Sequence, residues 1–187
     1  MKYGMLELLR RLNGLKCVPR VGWSLCSVPS SLIEDVAQHT FEVASLSLLL
    51  SEGLKLDEAK VFKMALIHDW PEALVGDVSY SALPYLGGRE VKGRIEERAL
   101  QRLLGGKREL VELWREFRED RTPESRLVHF CDYLAILLQA LHYFDLGNRS
   151  PVLKELCDNV SKDLEPYFST FPQFKPLVEE IRAVLRF

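Results

Sequence analysis

Apolar side chains recur every three or four residues along most of the chain, which is the spacing of one face of an α-helix. The clearest example covers residues 35–52 and ends at Gly53. Its recurring positions are Val36, His39, Val43, Leu46 and Leu50. No stretch alternates apolar and polar residues as a half-buried strand would, and no internal repeat is visible. The pattern therefore predicts an all-α protein.

Residues that favour helix ends divide the chain into about seven or eight helices. Asp57 suits an N-cap, and the pairs Thr122-Pro123 and Ser150-Pro151 each place proline at a first helical position. The predicted helices cover residues 6–12, 35–52, 57–69, 90–104, 109–119, 123–146, a stretch from 151 onward, and 173–186.

Proline and glycine mark the predicted loops, at residues 15–31 and 80–88. A chain of 187 residues is long enough to bury a core without disulfide or metal support. We therefore expect a single-domain helical bundle over residues 1–187, with its core at about 6–146 and C-terminal helices at 151–187 packed on it.

Composition narrows the class of protein. The net charge is −2, so the chain has no overall basic surface for a nucleic acid polymer, although a small phosphorylated metabolite needs only a local basic group. The four cysteines form no C-x-x-C pair, which favours reduced thiols in a cytoplasmic protein, with a Cys17–Cys26 bridge as the alternative. We find neither a signal-peptide core nor a stretch that approaches a membrane span, so no membrane association is expected.

Four residues able to bind a metal stand inside predicted apolar helices or at their ends. They are His39, His68, Asp69 and Asp132. Burying unpaired polar groups is costly, and a shared metal ion would account for all four. Two imidazole nitrogens and two carboxylate oxygens suit a divalent ion of the manganese, cobalt, iron or zinc type. Alternatively, Asp132 is a buried carboxylate paired with Arg126 or His129.

Glu72 follows His68 by one helical turn, and it projects from the same face if the turn continues past Pro71. A carboxylate at that place could orient or deprotonate a water molecule. Asp77, after Gly76, is a second candidate acid on a nearby loop. The alternative for Glu72 is a solvated acid beside a proline.

Three segments carry a resemblance to a known family. Residues 15–23 read LKCVPRVGW, residues 33–39 read IEDVAQH and residues 68–78 read HDWPEALVGDV. Together with the distant Asp132, they resemble the HD-domain superfamily of metal-dependent phosphohydrolases, and more closely its 5'-deoxynucleotidase branch. The motifs of that branch are L-K-x-x-x-R-x-G-W, E-S/N-V-A/S-E-H and H-D-x-x-E-x-x-x-G-D-I. The resemblance covers roughly residues 6–146.

The resemblance implies an activity and a role for each matching residue. The expected reaction is metal-dependent hydrolysis of nucleoside 5'-monophosphates, preferentially 2'-deoxyribonucleotides, to nucleoside and phosphate. The metal, one of Mn, Co, Mg, Fe or Zn, would be held by His39, His68, Asp69 and Asp132. Glu72 would be the catalytic carboxylate, and Asp77 would help at the leaving 5'-oxygen or bind the sugar. Arg20 would hold the phosphate, and Trp23 would pack against the nucleotide.

Some positions depart from the family pattern or have plainer interpretations. Gln38 stands where the family usually has Glu, which would alter the support of His39. Cys131 replaces a small residue, and His129 stands where a basic residue is frequent. Arg20 could be a solvated surface charge, and Trp23 could cap the core. We assign a metal to neither His129 nor His142.

Two other functions remain open from the sequence. One is hydrolysis of a different nucleotide, such as a cyclic nucleotide or a nucleoside 3'-diphosphate, by an HD-type phosphodiesterase or pyrophosphohydrolase. The other is a non-catalytic nucleotide-sensing module whose metal is structural. Relatives are often dimers, so a homodimer is also an expectation.

Overall fold

A computed structural model describes residues 3–185 of the chain, and it confirms the all-α prediction. The α-helices over this part of the chain are α1 (Met5–Asn13), α2 (Gly22–Leu25), α3 (Val36–Ser51), α4 (Glu58–Ile67), α5 (Glu72–Val75), α6 (Arg89–Leu104), α7 (Arg108–Glu119), α8 (Pro123–Asp145), α9 (Pro151–Leu164) and α10 (Lys175–Val184). Short 3₁₀ helices lie between them at Gly14–Cys17, Ser30–Leu32, Tyr80–Leu86, Glu165–Ser169 and Pro172–Phe174.

The helix count over the described residues is higher than predicted because short helices occupy segments predicted as loops. Helices α2 and α5 have four residues each, too few for an apolar period to be visible. The predicted loop at 80–88 is mostly the 3₁₀ helix Tyr80–Leu86, which accommodates Pro84. The predicted last helix ran to residue 186; residues 1, 2, 186 and 187 lie outside the described residues.

Side-chain caps fix where the three central helices begin. The Asp35 carboxylate accepts from the backbone N–H of Gln38, and the Gln38 side chain accepts from the backbone N–H of Asp35, which closes a capping box at α3. Asp57 caps α4 as predicted, and Thr122 caps α8 in a second capping box. These caps set the rotational register of the polar residues on α3, α4 and α8.

Helices α3, α4 and α8 pack against one another and form the centre of the core. Their buried side chains include Val43, Met64, Ala65, Leu127 and Leu134. Helices α9 and α10 pack on α8 from the C-terminal side. A second apolar cluster, centred on Trp114, joins α4, α6 and α7. The three central helices therefore approach closely enough to bring their polar residues together.

Helix α8 corrects one expectation. Among the described helices it alone is long and apolar enough to cross a membrane by length and composition, whereas the sequence pattern suggested no such stretch. Half of its apolar window is buried inside the protein, and residues such as Phe130 and Leu137 are completely enclosed. In this fold α8 is the central core helix.

The four cysteines are all free. Cys26, Cys131 and Cys157 are buried, and Cys17 is exposed. The alternative of a Cys17–Cys26 bridge is therefore not observed.

Candidate active site

The central helices bring the predicted metal ligands to one place. His39 lies at the end of the first turn of α3, His68 and Asp69 follow the last turn of α4, and Asp132 lies on α8. His39, His68 and Asp69 each offer a ligand atom within 4.8 Å of the other two. Asp132 joins them through His39, whose Nε2 lies 2.9 Å from Asp132 Oδ1.

The tautomer of His68 leaves a ligand atom directed at this cluster. Nδ1 lies 2.7 Å from the carbonyl oxygen of Ala65, which can only accept, so Nδ1 carries the proton. In the neutral ring Nε2 then carries a lone pair and can only accept. It is buried without a hydrogen-bond partner and lies 3.2 Å from Asp69 Oδ2. A lone pair and a carboxylate oxygen this close are stabilised by positive charge, which either a proton on Nε2 or a metal ion supplies, so these residues fit a metal ion.

The electrostatics of the cluster point to the same requirement. Burial lowers the pKa of His68, but the Asp69 carboxylate outweighs it and raises the pKa to about 9. Burial raises the pKa of Asp132, but the hydrogen bond from His39 outweighs it and lowers the pKa to about 2. Without a metal, therefore, His68 holds a proton where a bound cation would provide the positive charge.

Removing the metal is expected to make stability depend on pH. The His68 pKa is 6.5 when unperturbed and about 9 in the fold, so the folded state binds this proton more tightly. This contribution is complete below pH 6.5 and is lost as pH rises through 9. Each pKa unit is worth about 1.4 kcal/mol, and each kcal/mol shifts Tm by about 2–4 °C. Metal-free protein should therefore melt several degrees lower at pH 9.5 than at pH 6.5.

Thermal unfolding in a chelator and with added metal checks this expectation. Bound metal replaces the His68 proton, so Tm should fall less with rising pH in the metal-loaded protein. In the chelator, His68→Gln should lower the difference in Tm between pH 6.5 and pH 9.5. His142→Gln, a change at an exposed histidine, should leave that difference unchanged. An unchanged decrease in His68→Gln would contradict the assignment.

Glu72 is buried beside the cluster. The backbone turn does continue past Pro71, because the N–H of Glu72 donates to the carbonyl of Asp69 at 3.0 Å and α5 begins there. Only 3 % of Glu72 is exposed, and its Oε2 has no hydrogen-bond partner. Burial and then the charges of Asp69 and Asp77 raise its pKa well above the usual value. Glu72 is thus a buried carboxylate with a free oxygen, and the alternative of a solvated acid does not describe it.

Arg20 reaches the cluster from the segment before α3. Its guanidinium lies 3.2 Å from Asp69 Oδ2 and 3.8 Å from Glu34 Oε2. Burial would lower its pKa, but the carboxylates of Asp69, Asp132, Glu72 and Glu34 raise it, so Arg20 stays charged. Its backbone N–H donates to the carbonyl of Glu34 at 2.9 Å, which holds the segment in place. Arg20 is therefore a largely enclosed, paired cation and not a solvated surface charge.

Glu34 is a functional candidate that the sequence analysis missed. It is buried, it accepts from Trp23 Nε1 at 2.9 Å, and its Oε1 lies 3.8 Å from His39 Nδ1. Burial raises its pKa to about 7, although Arg20 opposes this. One carboxylate thus accepts from Trp23 and lies 3.8 Å from both Arg20 and the predicted metal ligand His39. In the sequence, Glu34 could have been noticed from its position directly before the N-cap Asp35, in the motif that contains His39.

Gln38 has a different role from the one expected. Its side chain caps α3 at Asp35, and the carboxylate nearest the second nitrogen of His39 belongs to Glu34. With Gln in place of the family's Glu, residue 38 therefore still caps the helix. The carboxylate that faces His39 Nδ1 is that of Glu34.

Trp23 is built into the core. Its indole is 3 % exposed and packs edge-on against Tyr143, with ring centroids 5.1 Å apart. It also lines the cavity that contains the cluster. These contacts match the alternative in which Trp23 caps the core, and its predicted packing against a nucleotide stays a prediction.

Trp23→Phe is expected to destabilise the protein. The change keeps a ring against Tyr143 but leaves the buried Glu34 without its indole donor. Loss of one partner of a buried, charged hydrogen bond costs about 1–3 kcal/mol. Chemical denaturation measures this loss directly. Trp70→Phe is a matched control at a half-buried tryptophan outside the central core, and a larger effect there would contradict the expectation.

The remaining predicted residues also have defined positions. Asp77 Oδ2 accepts from the backbone N–H of Val21 at 2.7 Å, which ties its loop to the residue after Arg20. His129 Nε2 donates to the carbonyl of Phe117 at 2.8 Å. Arg126 donates to Thr170 and to a carbonyl. The hydrogen bonds of His129 and Arg126 therefore go to residues other than Asp132.

A cavity of about 280 Å³ contains this chemistry. Arg20, His68, Asp69, Glu72, Asp77 and Asp132 all line it, together with apolar residues of α7, α8 and α9. The volume lies near the lower end for small-molecule sites, which suits one compact ligand. Arg20, Glu72 and three of the predicted metal ligands, His68, Asp69 and Asp132, therefore face one cavity.

Comparison with known proteins gives consistent matches. The HD domain family model matches residues 12–170. The chain is 31% identical over 185 residues to the 5'-deoxynucleotidase HDDC2 of Bos taurus, covering 96% of this chain and 84% of that protein. A conserved hypothetical protein from Pyrococcus furiosus is 34% identical, with a TM-score of 0.80 over 95% of this chain and 99% of its own.

A more distant structure carries ligands. The HD phosphohydrolase of cyanophage S-2L, bound to dA and one catalytic Zn²⁺ ion, has a TM-score of 0.60 over 96% of this chain and 99% of its own. At 19% identity, this likeness concerns the fold alone. The family match over most of the chain and the 31% identity along nearly its whole length show that the chain belongs to the HD-domain family, as its motifs predicted.

Proposed function

We propose that this protein is a metal-dependent phosphomonoesterase that hydrolyses nucleoside 5'-monophosphates, with 2'-deoxyribonucleotides preferred. The observation that carries the proposal is that His68 Nε2 and Glu72 Oε2 are both buried without a hydrogen-bond partner, and that both residues line one cavity with Arg20. The relatives named 5'-deoxynucleotidase, at about 30% identity over nearly the whole chain, support the substrate class.

The proposed metal ligands are His39, His68, Asp69 and Asp132. A divalent ion bound there supplies a Lewis acid that polarises the phosphate and lowers the pKa of water. Two nitrogen and two oxygen donors suit Mn, Co, Fe or Zn, and Mg stays a candidate. The Zn²⁺ ion of the phage enzyme is consistent with this donor set.

Glu72 is proposed to orient the attacking water and accept its proton. Its unpartnered Oε2 is available for this hydrogen bond. A raised pKa suits a group that must take a proton near neutral pH, since a very weak base would release it at once. Asp77 is proposed to act at the leaving 5'-oxygen or on the sugar, from the cavity wall.

Arg20 is proposed to hold the phosphate. Its guanidinium is planar, permanently charged and carries five N–H donors, which match phosphate oxygens in pairs. Its ion pairs with Asp69 and Glu34 fix it at the edge of the metal-binding cluster. The same charge would stabilise negative charge that develops on the phosphoryl oxygens.

A substrate panel tests the proposal. Metal-loaded protein should release phosphate from 5'-deoxynucleotides faster than from 5'-ribonucleotides, and should leave 3'-monophosphates and cyclic nucleotides largely intact. Preferential cleavage of cyclic nucleotides would favour a phosphodiesterase instead. Binding of nucleotide and metal without any turnover would favour the sensing module and contradict the role of Glu72.

A further inference from the structure

Besides Arg20, three cationic side chains line the same cavity: Arg89, Lys92 and Arg118. Lys92 lies on α6, and its Nζ is 2.6 Å from Oε1 of Glu96, one turn further along that helix. The Lys92 side chain is 23 % exposed and the Glu96 side chain 7 %. Lys92 is therefore a largely enclosed ammonium group that faces the space where Asp69 and Glu72 also lie.

Helix α7 braces this pair. Arg118 Nη1 lies 3.8 Å from Oε2 of Glu96, and the Arg118 guanidinium lies over the ring of Trp114. Gly93 leaves room for the Arg118 side chain, because a Cβ at Gly93 would lie 2.5 Å from Arg118 Nη2. Glu96 is thus held from the side of α7, and it in turn fixes the position of Lys92.

Lys92 keeps both its charge and free donors. Burial lowers its pKa, but Glu96 and then the more distant Asp69 and Glu72 outweigh burial and raise it. An ammonium has three N–H donors, and the ion pair with Glu96 uses one of them. A phosphate oxygen in the cavity could therefore accept from Lys92 while the pair with Glu96 persists.

A further cation in addition to the proposed metal ion and Arg20 would favour a phosphomonoester more than a diester. At neutral pH a monoester carries about 1.5 to 2 negative charges, and a diester carries only about one. The cavity wall already holds the carboxylates of Asp69, Glu72, Asp77 and Asp132. These repel a dianion more strongly than a monoanion, and Arg20 is already paired with two carboxylates.

We infer that Lys92 is a second phosphate-binding residue, and that its charge makes the site prefer dianionic phosphomonoesters over diesters. The inference rests on the proposed function, since it places the substrate phosphate in this cavity. Glu96, Arg118 and Gly93 are positioning residues that hold Lys92 in place.

The test compares thymidine 5'-monophosphate with its methyl ester, which keeps the nucleoside and removes one charge. In metal-loaded Lys92→Met, kcat/KM for the monophosphate should fall about 10- to 100-fold, the value of a charged hydrogen bond. The inhibition constant of the methyl ester should change by a clearly smaller factor. Lys92→Arg should recover part of the loss, and Arg94→Met, at an exposed cation on the same helix, should change neither value.

Equal weakening of both ligands, or no weakening, would overturn the inference. Thermal unfolding shows whether Lys92→Met folds, and Lys92→Gln replaces it if it does not. If the unsubstituted protein hydrolyses no monophosphate, the dissociation constants of the same two ligands are measured by calorimetry instead. A preference for the monoester that disappears in Lys92→Met would then support the phosphate site while the proposed function fails.

Discussion

Asp69→Ala is expected to abolish metal binding and to reduce phosphate release by about a thousandfold or more. Oδ2 of Asp69 lies 3.2 Å from His68 Nε2, 4.0 Å from His39 Nε2 and 3.2 Å from Arg20. Its removal takes away one proposed ligand and the ion pair of Arg20 together. A thousandfold loss corresponds to about 4 kcal/mol of transition-state stabilisation, which is within the range for a catalytic metal.

Metal content by mass spectrometry, measured beside the rate of phosphate release, checks this prediction. Asp158→Ala is the matched control, because Asp158 is an exposed carboxylate on α9, away from the cavity of the proposed active site. It should keep both the metal and the activity. An Asp69→Ala protein that still binds metal and turns over at the normal rate would show that the metal lies elsewhere.

Glu72→Gln is expected to lower kcat by about 10²- to 10⁴-fold, the usual contribution of a general acid or base, while metal content stays unchanged. The amide keeps the shape of the side chain in its buried position but cannot accept a proton from water. KM should change little, because Glu72 is proposed to act on water and not on the phosphate.

Steady-state kinetics and metal analysis of the same preparation distinguish this role from that of a ligand. Loss of the metal together with activity would make Glu72 a ligand or a structural carboxylate. An unchanged kcat would show that another group, with Asp77 as the first candidate, takes the proton. Glu90→Gln, at an exposed acid in the first turn of α6, provides the matched control.

The helices and the central cluster were accessible from sequence because local signals specify them. Apolar spacing predicted α3, α4 and α8, and capping residues such as Asp57 predicted where they begin. Polar residues within those apolar patterns, His39 and Asp132 among them, marked the places where burial needed a reason. Packing of the three helices then brought these positions together.

The supporting residues could not be predicted in the same way, because their contacts are set by packing between distant segments. Glu34 meets Trp23 and Arg20 through a loop pairing before α3, and no periodic pattern encodes it. Lys92 could not be singled out, because the sequence does not show which side of α6 faces the cavity. The four-residue α5 and the 3₁₀ helix Tyr80–Leu86 were too short to leave a period.

Restoration of activity by metal tests most directly whether phosphate release depends on the proposed metal site. Protein stripped of metal is supplied with increasing Mn, Co, Mg or Zn, and phosphate release from thymidine 5'-monophosphate is measured. We expect no activity in the stripped protein and a rise that saturates at about one ion per chain, because the four proposed ligands form one site. Full activity after stripping, or equal restoration in Asp69→Ala, would contradict it.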